Sequence, residues 1–335
     1  MVRILHTISD SVRLDNAMKV LVTGGCGYKG HVLVPKLLAA GYDVRVVDTQ
    51  WFGDFHQDHP RLEVQIGDVR QLNSNAFDNV DTIIHLASIA NDPCGDLNPK
   101  LTWETSCLAT MQLADEAVRR GIKRFIYASS GSVYGVNNEP KVNEDVRLAP
   151  ISEYNKTKMV SERALLSYND FMKVQIVRPA TVCGLSPRMR LDVSVNMLTM
   201  QALTRGKITV FGGGQVRPNI HIDDICDLYL FLLRNPQHCG IFNAGFENIA
   251  IIDIARMIQK YIACDIVVTE TNDPRSYRLD STKLIATGFK PRKSVDTAIE
   301  EIVEAYNAGM LKDEAHFHNL SWMKHHSLAE MKEAS

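Results

Sequence analysis

Tyr154 and Lys158 stand four residues apart in Tyr154-Asn155-Lys156-Thr157-Lys158. On a helix, that spacing puts both side chains on one face. A phenol at its ordinary pKa of about 10 is a poor base at neutral pH. A neighbouring ammonium stabilises the phenolate and makes it a usable one. Such a pair can take the proton from a substrate hydroxyl. Ser130 follows the apolar run 125–128 and can hold the same oxygen. Together the three form a set that oxidises a hydroxyl-bearing carbon, provided that a hydride acceptor lies beside them.

A site for that acceptor is indicated upstream. Gly24-Gly25-Cys26-Gly27-Tyr28-Lys29-Gly30 satisfies both GxGxxG and its GxxGxxG variant. Glycine is needed there because the turn is tight and a pyrophosphate must reach the backbone, while the following helix offers amide donors. Gly24, Gly27 and Gly30, with Tyr28 and Lys29 between them, are the expected cradle. Asp48 ends the next apolar run. A carboxylate at that place accepts from ribose hydroxyls and repels a 2′-phosphate, which favours NAD over NADP. Asp68 and Val69 are expected to border the adenine. Leu86, Ala87 and Ser88 are expected along the middle of the cofactor, with Pro179 as a further contact.

These residues must be positioned by a regular scaffold. Strands read at 19–22, 44–48, 62–66, 82–86, 125–128 and 174–177. They alternate with helices over 28–40, where Pro35 predicts a kink, and over 99–120 and 154–168. Apolar strands alternating with helices imply an α/β, doubly wound parallel sheet of Rossmann type. After Pro179 the rhythm breaks into short strands at 208–211 and 266–268 and helices over 193–204, 252–261 and 295–307. That reads as a smaller α/β lobe. The expected division is an appendage at 1–17, a dinucleotide-binding domain at 18–181 to which 219–245 returns, and a second lobe with the tail at 182–335.

Composition narrows the classes. With 335 residues, 45% of them hydrophobic, the chain can bury a large core. Its net charge of −2 gives no basic excess for nucleic acid or a membrane surface. No apolar run reaches spanning length. Seven cysteines, an odd number with no CxxC pair, fit free thiols in a reducing cytoplasm better than disulfides or zinc. His316, His318, His325 and His326 lack supporting ligand spacing and read as solvated surface, so no metal site is expected.

The motifs taken together resemble the extended short-chain dehydrogenase/reductases that act on nucleotide sugars. The carriers are VTGGCGYKG, Asp48, GDVR at 67–70, HLAS at 85–88, YASSGSVYG at 127–135, YNKTK at 154–158, RPATVCG at 178–184 and RPNIHIDD at 217–224. The resemblance implies catalytic roles for Ser130, Tyr154 and Lys158, with Lys158 also on the nicotinamide ribose. It implies a nucleotide diphosphate held between the lobes by Arg217 and Arg275. Ser132, Thr181 and Asn196 would be diphosphate or sugar contacts, Val210 and Phe211 the wall of the base pocket, and Arg188 and Arg190 additional cations. His221 would support a strand-to-helix corner.

Three departures matter. Dehydratases of this family carry an Asp-Glu pair just after the Ser/Thr, and Gly131 and Ser132 stand there instead. Ser106 replaces the helix asparagine, and Cys183, expected as an inert buried thiol, replaces a tyrosine. The stretches 186–192 and 273–292 resemble enzymes of bacterial surface-polysaccharide pathways, among them C4 dehydrogenases or ketoreductases on GDP-heptoses and epimerases. The expectation is an NAD-dependent nucleotide-sugar epimerase, acting at C4 through a 4-keto sugar. A one-way C4 dehydrogenase or 4-ketoreductase is the alternative, and a non-catalytic NAD sensor the alternative of another class. The helices over 99–120 and 154–169 resemble the family's dimer interface, so a cytoplasmic homodimer is expected.

Overall fold

Seven apolar runs pair as one parallel sheet in a computed structural model that describes residues 18–137, 139–270 and 276–328. The segment 1–17 and Arg275 lie outside the described residues. In chain order the strands are β1 (Lys19–Thr23), β2 (Asp43–Asp48), β3 (Leu62–Ile66), β4 (Thr82–His85), β5 (Arg124–Ala128), β6 (Lys173–Pro179), β7 (Thr181–Cys183), β8 (Lys207–Phe211), β9 (Val216–His221), β10 (Gly240–Ala244), β11 (Glu247–Ala250) and β12 (Asp265–Thr269). The large sheet runs β10-β6-β5-β4-β1-β2-β3. Its strand order reverses at β1, so a crevice opens where β1 and β4 diverge at their carboxyl ends. β1, β4 and β5 are nearly continuous apolar segments because helices cover both faces.

The six strands and three helices read from the sequence of this region are present. β10 extends the sheet by a seventh strand paired with β6. The helix Gly30–Ala39 runs through Pro35 without interruption. The helix expected over 99–120 starts at Pro99, capped by the Asn98 side chain, but is broken by one π-helical turn, Glu104–Leu108. That turn carries the departure residue Ser106. Its carbonyl accepts from Ser161 Oγ at 2.9 Å, and its hydroxyl receives the Ile89 amide at 3.1 Å. The strand end at 88–89 is thereby fixed to two helices.

Beyond Pro179 the second layer is built from a three-stranded sheet, β11-β9-β7, and a two-stranded parallel pair, β12-β8. Val195, Leu198, Ile208, Val210, Ile254 and Ile299 form its core. His221 Nδ1 accepts from the Asp223 amide and caps the helix Ile222–Arg234, which supports the corner as expected. Cys183 is fully buried and hydrogen bonds Ile220 O, as its inert reading requires. All seven cysteines are unpaired.

Buried His85 ends β4 with its ring nitrogens 2.6 Å from Thr23 Oγ1 and 2.9 Å from Thr110 Oγ1. Burial, reinforced by Lys158, pushes its pKa down from 6.5 to about 3. Between those values the unfolded ring binds a proton that the native ring refuses. Stability is therefore lost as pH falls from about 6.5 toward 3, at up to ~1.4 kcal/mol per pH unit for one site. Urea unfolding across pH 7 to 4 should show this slope, and His85→Gln should flatten it; an unchanged slope would contradict the assignment.

Candidate active site

The helix Glu153–Leu166 begins where Ser152 accepts the Asn155 amide. Ser152 in turn donates to Asp92 Oδ1 at 2.6 Å, which fixes the helix start against the segment after β4. Tyr154 thus lies in the first turn and Lys158 one turn on, both lining a cavity of about 470 Å³. Lys158 is buried and donates to Ala128 O at 2.8 Å. Its ammonium lies 4.8 Å from the Tyr127 ring centroid and 5.8 Å from that of Tyr154. Burial, and then the charge of Lys29, depress its pKa to about 7. Burial raises Tyr154, while a hydrogen bond with Ser130 and the charge of Arg190 pull it down.

Ser130 follows β5. Its hydroxyl meets Ser132 Oγ at 2.7 Å, and Ser132 donates to Asn155 Oδ1. Asn155, between the two catalytic residues in sequence, therefore orients the serine pair from below. Its position in the YxxxK turn was the only available signal.

The glycine turn meets the demands read from sequence. A Cβ at Gly24, whose φ is +74°, would lie 2.5 Å from Ala87 N. One at Gly30 would lie 2.1 Å from Gly25 O. Asp48 receives the amides of Cys26 at 3.0 Å and Gln50 at 2.8 Å, which aims it at the turn. Gly27, Tyr28 and Lys29 line the cavity, as do Asp68, Val69, Leu86, Ala87, Ser88 and Pro179. Burial lowers the Lys29 ammonium to about 8. Neither Lys29 nor Lys158 forms an ion pair with a carboxylate among the described residues. A buried cation, a half-buried one and a glycine turn fit a bound pyrophosphate.

On the substrate side, Ser132, Thr181, Arg188, Arg190 and Arg217 line the same cavity. Three expected contacts do not. Asn196 is fully buried, takes the Gly184 amide at 3.0 Å and donates to Tyr28 Oη and Arg190 O, both at 3.0 Å. It locks the second lobe to the glycine turn, with Tyr28 Oη donating to Gly184 O at 2.7 Å. Val210 points into the second lobe's core. Phe211 alternates to the other face of β8 and is 57% exposed. Sequence reasoning also missed Asn91, Asp92 and Asp192 on the substrate side, where Asp192 clamps Arg190 at 2.8 Å.

A model of the NAD dependent epimerase/dehydratase family matches residues 20–245. The chain belongs to that family. It is 28% identical to a UDP-glucose 4-epimerase of Lactobacillus helveticus over 84% of this chain and 95% of that protein. It is 26% identical to UDP-glucuronic acid decarboxylase 1 of Danio rerio over 86% of this chain and 72% of that one. Among solved structures, MoeE5 in complex with UDP-glucose and NAD is similar at 25% identity and a TM-score of 0.77, covering 88% of this chain and all of that one. The cofactor of the family is NAD, and the chain is an enzyme of the extended short-chain dehydrogenase/reductase type. No helix among the described residues is long and apolar enough to cross a membrane.

Asp48→Asn removes the charge that two ribose hydroxyls would meet. Hydrogen bonds to a charged group contribute about 1.5–3 kcal/mol, so NAD affinity should fall roughly 10- to 100-fold and discrimination against NADP should narrow. Calorimetric titration with both dinucleotides checks this; an unchanged NAD/NADP ratio would contradict it.

Proposed function

We propose that this chain is a cytoplasmic, homodimeric nucleotide-sugar epimerase that inverts C4 in the biosynthesis of surface polysaccharide. The observation that carries this reading is an intact Ser130–Tyr154–Lys158 set with no acid–base pair beside it. Gly131 carries no acid, and a Cβ there would stand 3.1 Å from Pro179 O, a tight contact. Ser132 is committed to Ser130 and Asn155. Water loss across C5 and C6 lacks its catalysts.

Ser130 holds the sugar's 4-oxygen, and Tyr154 removes its proton. Lys158 supports the phenolate from below. NAD, when bound, accepts the C4 hydride and returns it. Return to the opposite face requires the keto sugar to turn within the cavity, while Arg217, Thr181 and Arg190 hold its diphosphate and sugar. The UDP-sugars named for the relatives and for MoeE5 make a uridine nucleotide the first choice. Leu108 and Met111, exposed on the helix through residues 99–119, support pairing of two chains through that face.

Incubation with UDP- and GDP-hexoses, followed by NMR of C4, should show the epimer and no net NADH. Stoichiometric NADH without an epimer would instead establish the one-way dehydrogenase. Tyr154→Phe should lower kcat by ~10²–10⁴, the range for loss of a general base, while NAD content is unchanged. Full activity in that variant would overturn the catalytic assignment.

A further inference from the structure

Residues 313–328 do not hang free in solvent. The helix Asn319–His325 packs against the turn of helix Asp92–Gly95, and Asn319 and Met323 line the same cavity as Asp48 and Lys158. Met323 is buried with Ile89, Cys94 and Leu101, with Trp51 and Phe52 packed against them. Trp322 Nε1 donates to Trp51 O at 2.7 Å, just past Asp48. His316, read from sequence as solvated, stacks on Phe55 with centroids 5.5 Å apart. Phe55 N donates to His31 Nε2 at 2.9 Å, and the other ring nitrogen of His31 lies 3.1 Å from Gly27 O. The C-terminal segment is thus connected, contact by contact, to the glycine turn.

At the centre of these contacts is Arg188. It is 1% exposed, and its guanidinium lies 4.2 Å from the Phe52 ring centroid. Nη2 donates to Asn319 Oδ1 at 2.7 Å and Nη1 to Met189 O at 3.2 Å. Buried Nε has no partner. The charges of Asp48 and Arg188 act on each other, whereas Arg190 acts on Tyr154. Arg188 and Arg190 also act on each other, but their hydrogen bonds differ: Arg188 goes to Asn319 and Arg190 to Asp192.

We propose that residues 313–328 form a built-in cap over the adenosine diphosphate half of NAD, with Asn319 positioning Arg188 on that half and Trp322 latching the cap to Trp51. An unpaired buried guanidinium N–H suits a phosphate or ribose oxygen. A cap tied to both the cavity wall and the loop after β2 must open before the dinucleotide leaves. This inference rests on NAD being the cofactor, but not on the C4 reaction.

The test is NADH release from the full chain, followed by fluorescence on chasing with excess NAD. Trp322→Ala, Asn319→Ala and Arg188→Met should each speed release by ~10-fold or more, the equivalent of one lost charged contact. Trp322→Phe should fall between. Affinity for UDP should stay at the wild-type value in Asn319→Ala. Thermal unfolding without cofactor identifies a variant that fails to fold, and the remaining ones still decide. Wild-type release rates in the folded variants would overturn the cap. So would a loss of UDP affinity with NADH release unchanged, which returns Arg188 to the substrate. Because the readout is binding, a chain that epimerises no sugar would still be decided.

Discussion

An ammonium group buried at the carboxyl end of a parallel sheet is costly unless something repays its lost hydration. Lys158 is in that position. It has one carbonyl and two aromatic faces, and no carboxylate pairs with it among the described residues. Half-buried Lys29 lines the same cavity, and its pKa is also lowered by loss of hydration. Together they give the cavity a positive field that suits the pyrophosphate of NAD. Burial depresses both ammonium groups toward neutral pH; a pyrophosphate at the glycine turn would favour the charged form of Lys29, while Lys158 stands beside the Tyr154 ring.

The surrounding fold makes that arrangement rigid. Glu162, on the helix that carries Tyr154, takes a two-point ion pair from buried Arg178 at 2.6 and 2.9 Å, and accepts from Ser129 next to the catalytic serine. Arg178 continues to Tyr134, and Tyr134 to Asn243 on β10. One polar network thus ties the helix to three strand ends of the sheet. A second, through Tyr28, Asn196 and Gly184, ties the glycine turn to the other lobe. Loss of one partner in such a buried network leaves another unsatisfied, so each is costly to remove.

Much of this was legible in the chain. Strand periodicity, the glycine turn, Asp48 and the Tyr-Lys spacing are local signals, and local signals survive without coordinates. Asn196 could not be read the same way, because its amide can serve a ligand or a backbone corner equally well. Val210 and Phe211 were assigned by resemblance, but β8 pairs with β12, and neither residue is among those that line the cavity. The π turn at Glu104–Leu108 left no mark on the apolar pattern. Of the C-terminal histidines, His325 and His326 are exposed as read, whereas His316 stacks on Phe55, a partner far away in sequence that no local pattern indicates.

The claim at the centre of this account is that one cavity removes a hydride from a sugar carbon and gives it back to the same carbon. A nucleotide sugar carrying deuterium at C4 tests it most directly. The account predicts that the epimer formed in ordinary water keeps its deuterium at C4 and that no labelled cofactor accumulates. Loss of the label to solvent, or its stoichiometric appearance in released cofactor, would contradict it.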